Sequence, residues 1–152
     1  MSNASPALVA AGPAALRRRR ATLLLLRLLA VSCFLTGAYA LGAPHSFYRH
    51  VIGVHLLGPY NEHLLSDVGG FYLGFALVFA IAVRAPAPEL VRASCAGFAV
   101  TQGAHFIWHA LNLRPLTFAQ GAAQTVLLAM FLALPLGALY LSERAPPQRR
   151  AR

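Results

Sequence analysis

The chain has 152 residues, of which 58% are hydrophobic and 11% charged, and its formal net charge is +9. A soluble domain of this size needs a charged shell, and 13 basic with 4 acidic residues are too few to build one. All the basic residues are arginine, and they flank apolar stretches instead of forming a stripe interleaved with aromatics. That arrangement fits anionic lipid headgroups and argues against nucleic acid as a partner.

In chain order, residues 1–20 read as a disordered basic cytoplasmic tail. Its first part, 1–16, is small and Ala/Pro-rich, and four arginines follow at 17–20. An apolar segment then runs over 21–42, interrupted only by Arg27, which can snorkel to the headgroups. The basic start, the apolar core and Ala38-Tyr39-Ala40 also fit a signal peptide, Arg19-Arg20 resembles a twin-arginine signal, and Ala30-Val31-Ser32-Cys33 resembles a lipobox. Three further apolar spans favour a retained first helix.

Residues 43–60 read as a loop of aromatic and histidine character, broken at Gly58-Pro59. Asn61 is placed to cap a second helix over 62–83. A tight turn at 85–88 leads to a third helix over 89–112, closed by Pro115, and a fourth covers 116–141. Residues 142–152 form a polar cytoplasmic tail. Each segment is long enough to cross a hydrocarbon core. The short connections make neighbours antiparallel, so the expected fold class is all-α, an integral membrane antiparallel four-helix bundle.

Arginine placement orients it. One side receives the arginines at 17–20, Arg84, Arg92, Arg144, Arg149, Arg150 and Arg152; the other receives only Arg49 and Arg114. The positive-inside rule puts the first side, with both termini, in the cytoplasm, and the chain in the plasma (inner) membrane. Cys33 and Cys95 fall inside apolar stretches and read as small buried hydrophobes, not as a disulfide.

Polar side chains within such spans normally face the bundle interior or a water-filled cavity. On the second helix His63, Asp67, Gly70 and Gly74 share one stripe, and Gly70/Gly74 form a small-xxx-small pair for helix packing. On the third, Gln102, His105, His109 and Asn112 share a face; on the fourth, Thr117, Gln120 and Gln124 do. All three stripes lie in the outer half, where Thr36 and Tyr39 of the first helix can join them. Each residue singly has an ordinary structural reading. Glu62 and His63 fit the headgroup zone, Asp67 an interhelical hydrogen bond, and each glutamine a helix-to-helix contact of about 0.6 kcal/mol. Their coincidence at one depth points to a pocket built from Glu62, His63, Asp67, Gln102, His105, His109, Gln120 and Gln124.

Three kinds of occupant stay open. His105 and His109, four apart, with Asp67 or Glu62 make a set suited to a divalent metal such as Zn²⁺. No HExxH exists, because Phe106 stands where the glutamate would be, so a metalloprotease is not supported. A quinone or proton site is a second option, and a haem b held by His63 and His105 a third.

The run Asn61-Glu62-His63-Leu64-Leu65-Ser66-Asp67-Val68-Gly69-Gly70-Phe71-Tyr72-Leu73-Gly74 resembles the second helix of the small four-helix membrane proteins grouped as DoxX-like. With the four-span layout, the likeness extends over about half the chain. It implies an accessory role in membrane-associated redox or sulfur metabolism, near quinone.

The sequence therefore predicts a polytopic membrane protein that is accessory or binds a small ligand or ion, more in keeping with a non-enzyme. Alternatives are a redox subunit contacting quinone or haem, and a structural partner docking another membrane protein, or a second copy, through Gly70/Gly74. A retained first helix predicts that the mature protein keeps its full-length mass, which mass spectrometry of the purified chain reads directly; loss of the first 40 or so residues would assign that helix to a signal peptide.

Overall fold

The computed structural model describes residues 12–143, and the outer parts of both expected tails, 1–11 and 144–152, lie outside the described residues. The described chain is all-helical: α1 Pro13–Gly42, α2 Pro44–His50, a 3-10 turn Val54–Leu56, α3 Glu62–Arg84, α4 Pro88–Leu111 and α5 Phe118–Glu143. The four long helices fall within two residues of expectation at every boundary except the first. There the helix begins at Pro13, so the arginines at 17–20 are helical and not part of a disordered tail. The reason is local. Proline at the first helical position has the right φ and no N–H to leave unpaired, and alanine, leucine and arginine are all good helix formers.

α1, α3 and α5 are long and apolar enough to cross a membrane. α4 is as long as α3 but is diluted by Arg92, Gln102, His105 and His109 and does not join them. The outward faces are as apolar as the inward ones: Leu24, Phe34, Leu77, Ile81, Val100 and Met130 are all exposed. Helices that are apolar all round are found in a large core or in a bilayer.

Helix ends are set by recognisable chemistry. Asn61 Oδ1 accepts the Leu64 backbone N–H at 3.0 Å and starts α3. At α5, Gln120 Oε1 accepts both the Thr117 backbone N–H and its hydroxyl at 3.0 Å, and Thr117 Oγ1 accepts the Gln120 N–H at 3.3 Å. This reciprocal pair is a capping box. Pro135 lies inside α5, where neighbouring helices can satisfy the carbonyl it frees.

α1 is central: it packs most extensively on α3 and also on α5, α5 packs on α4, and of the long helices that are neighbours α3 and α4 touch least. The main core joins Leu26, Leu29 and Cys33 of α1 to Phe79, Cys95 and Phe98. Both cysteines are free and buried.

The α1–α3 seam is a glycine approach, although not the expected one. A Cβ on Gly37 would stand 2.7 Å from the Gly69 carbonyl and 2.9 Å from Leu73 N, and one on Gly69 would stand 3.1 Å from the Gly37 carbonyl. Gly70 and Gly74 are exposed, and a Cβ on either meets nothing within 4 Å, so they pack no helix of this chain. The stripe chosen from spacing was one residue, or about 100°, away from the true contact face.

Gly37→Ala should therefore cost about 1–3 kcal/mol, because backbone and not a flexible side chain is in the way. Gly70→Ala and Gly74→Ala should be neutral or gain up to about 1 kcal/mol from helix propensity. Thermal unfolding of the detergent-purified variants measures both.

Candidate functional site

Because α3 leans on α1, it leaves α4 at the end of the molecule where α1 ends and α3 begins. Tyr72 and Phe98 still meet, with ring centroids 6.2 Å apart, as do Phe75 and Phe98 at 4.9 Å. Beyond that level lies a cleft of about 1150 Å³. Its sides are Leu64, Asp67, Val68, Phe71 and Tyr72 of α3, and Thr101, Gln102, His105, Trp108 and His109 of α4. Thr36 and Tyr39 of α1 contribute to one wall, and Gln124, Leu127, Leu128 and Phe131 of α5 to the other.

The roof comes from residues 44–57, expected as loop. Instead α2 and the 3-10 turn fold back over the bundle end. Pro44 starts α2, and Phe47 is buried against Ala40 and Leu65. Tyr60 stacks on His45 at 4.0 Å and meets Tyr48 edge-on at 5.4 Å, while the Tyr48 hydroxyl donates to the Gly58 carbonyl at 2.8 Å. Gly53 reverses the chain with φ +83°, a conformation that favours glycine, and a Cβ there would lie 2.8 Å from Gln124 Nε2. Ring contacts, a side-chain hydrogen bond and apolar packing between irregularly spaced residues make this cap, which is why no periodicity announced it.

The predicted site residues divide. Asp67, Gln102, His105, His109 and Gln124 share the cleft. Glu62, His63 and Gln120 do not line it. Gln120 is consumed by the capping box. His63 Nδ1 lies 3.2 Å from Asp67 Oδ2, one turn on, and both side chains are largely exposed, so Asp67 sits at the rim and faces its own helix neighbour. Glu62 lies beside the Tyr60 phenol, whose pKa is raised first by burial and then by the Glu62 charge.

The expected metal set is therefore not assembled. His105 and His109 are neighbours, with ring centroids 4.5 Å apart, but Asp67 is engaged with His63. Among the described residues no three His, Cys, Asp or Glu side chains come together to hold a metal ion. A haem fits no better: His63 lies outside the cleft, and two histidines on one face of α4 cannot clasp opposite sides of a macrocycle.

The glutamines behave differently. Gln102 is 2% exposed and Gln124 6%. Gln102 Nε2 donates to the Tyr72 hydroxyl at 3.1 Å, and Gln124 Nε2 donates to the Ile52 carbonyl at 3.2 Å. A backbone carbonyl only accepts, so it fixes which end of the Gln124 amide faces it. What remains is the Gln124 carbonyl oxygen, buried with no partner, as is that of Gln102. The Gln124 side chain lies beside the His109 ring, within reach of a weak hydrogen bond with it, although neither Gln124 Oε1 nor His109 Nδ1, both buried, has a partner at full hydrogen-bond distance. Leaving such a group unmade costs about 1–3 kcal/mol, so a protein keeps one for a water or a ligand.

Tyr72, Trp108 and Ile52 were not singled out by sequence reasoning. Tyr72 faces α4 from just past the glycine run, and only the tertiary contact shows that its hydroxyl meets Gln102.

No family model, curated protein or solved structure matches the chain.

Gln124 also ties the roof to α5. Gln124→Met, close in volume, should remove about 1 kcal/mol from that tie. Amide exchange around residues 51–57 should then accelerate about fivefold while exchange in the main core is unchanged.

Proposed function

We propose that the chain is a multi-pass membrane protein whose α1, α3, α4 and α5 form an antiparallel four-helix bundle. Both termini face the cytoplasm of the plasma membrane. Its role is accessory and non-enzymatic: it binds a small organic ligand in the cleft of the outer half. The apolar outward faces support the membrane setting, and the arginine asymmetry supports the orientation. α4 joins as the fourth span because Gln102 is buried towards its partners while His105 and His109 line the cleft.

One observation carries the ligand reading. Two nearly fully buried glutamines on different helices each use their amide nitrogen internally and keep a carbonyl oxygen unpartnered in the same cleft. Binding sites typically combine a mostly apolar wall with a few placed polar groups, in volumes of about 300–1,000 Å³. At about 1150 Å³ the cleft lies just above that range, too roomy for a bare ion.

A second reading, a redox-associated subunit, draws on the same oxygens and on the DoxX-like resemblance of residues 61–74. The hydroxyls of a quinol would supply the donors that the glutamine carbonyls lack.

Native mass spectrometry of the detergent-purified chain tests the proposal. The wild type should carry a small molecule at about one per chain, and Gln102→Met and Gln124→Met should each lower its occupancy about tenfold. His63→Gln, outside the cleft, should leave it unchanged. Equal occupancy in all three variants, or none in the wild type, would sink the reading.

A further inference from the structure

The two long sides of the cleft are not alike from mouth to back. At the back, Gln102 and Gln124 are 2% and 6% exposed and present carbonyl oxygens without partners. At the mouth, Leu64 and Phe71 on α3 and Trp108 on α4 are 57%, 45% and 49% exposed. α3 and α4 are the long neighbours that touch least, so the mouth is a gap between two helices and not a hole at the bundle end. The bundle end itself is crossed by the roof, which turns Phe47, Val51, Ile52 and Leu57 towards the cleft and is held down by the Gln124–Ile52 hydrogen bond.

Polarity therefore runs sideways through the wall of the bundle. A slot walled mainly by apolar and aromatic side chains, with Asp67 at its rim and His105 on its α4 side, leads inward to hydrogen-bond acceptors. In water such a slot would close on itself. Beside acyl chains the apolar part of its lips costs little, because Leu64, Phe71 and Trp108 exchange one apolar neighbour for another, and the rim carboxylate Asp67 stands 3.2 Å from His63.

We infer that the cleft is loaded laterally from the hydrocarbon phase, between α3 and α4, and that its occupant is a long-chain amphiphile with a hydroxylated head. The chain lies between Leu64, Phe71 and Trp108, and the head donates hydrogen bonds to Gln124 Oε1 and Gln102 Oε1. Two acceptor oxygens demand a donor, which hydroxyls supply and an ether, ester or carbonyl head does not. The inference rests on the ligand-binding reading above and adds to it the route and the chemical class.

Trp108 is the chain's one tryptophan, and it stands at the mouth, so its fluorescence reports occupancy. The full-length protein is reconstituted in phosphatidylcholine vesicles and titrated with bromododecanol, with bromododecane, or with bromoethanol added from the water. Bromododecanol should quench Trp108 saturably, above the linear quenching that any brominated chain gives by mixing into the bilayer. Bromododecane, matched in length but lacking the hydroxyl, should give the linear part alone. Gln124→Met should weaken the saturable phase about tenfold. Because that variant also loosens the roof, Gln102→Met is the second arm and should do the same; circular dichroism verifies that both fold.

Saturable quenching by bromoethanol at equal affinity would overturn the lateral route and leave a ligand pocket filled from water. Identical linear quenching by the long alcohol and the alkane, or a saturable phase indifferent to both glutamines, would overturn the inference as well. A bound small molecule seen by mass spectrometry in that case keeps the pocket reading alive with a different occupant.

Discussion

The approach of α1 and α3 through Gly37 and Gly69 is the constraint on which the rest of the architecture depends. With no side chain on either residue, the Gly69 carbonyl comes to within 2.7 Å of where a Cβ on Gly37 would be. Drawing α3 onto α1 at that level takes it away from α4, whose principal partner is α5. The aromatic contacts of Phe98 with Phe75 and Phe79 close the gap at one end. At the other end the polar face of α4 is left uncovered, and the cleft is the space that results.

That space is then furnished by residues with divided duties. Gln124 and Gln102 each satisfy one internal partner through nitrogen and hold their oxygen in reserve. Lipid offers no hydrogen bond, so in the proposed bilayer a reserved oxygen is a strong and selective attractor for any donor that reaches it. The same Gln124 hydrogen bond holds the roof, so the group that would receive a head group also closes the cleft towards water. In the proposed binding mode, head-group contact and closure would share this single side chain.

The histidines and the aspartate, which dominate a reading by residue type, are secondary in the geometry. Asp67 and His63 find each other along one helix, where i,i+4 neighbours always meet. His105 and His109 stand together without a third donor. Residue types that suit a metal do not make a site unless separate helices aim them at one point, and here α3 turns its carboxylate along its own surface.

Local chemistry was legible in the amino-acid sequence. Apolar runs interrupted by Pro, Gly and Asn set the four long helices and the Asn61 cap, because each depends only on residues within a turn or two. The polar faces of α4 and α5 were legible for the same reason, and Gln102, His105, His109 and Gln124 do meet. The capping box of Thr117 and Gln120 was also written in the spacing, where a cap three residues long and a polar stripe look alike. What the sequence alone left undecided is rotation and long-range closure. Whether Gly69 or Gly70 faces α1 is a rotation of about 100° that spacing cannot settle when both neighbours are glycine. Whether residues 44–57 lie as loop or fold into a roof depends on contacts such as Ile52 with Gln124, 72 positions apart. Only the tertiary structure brings such distant residues together, and only there does the orientation of one amide decide which of its atoms is left over.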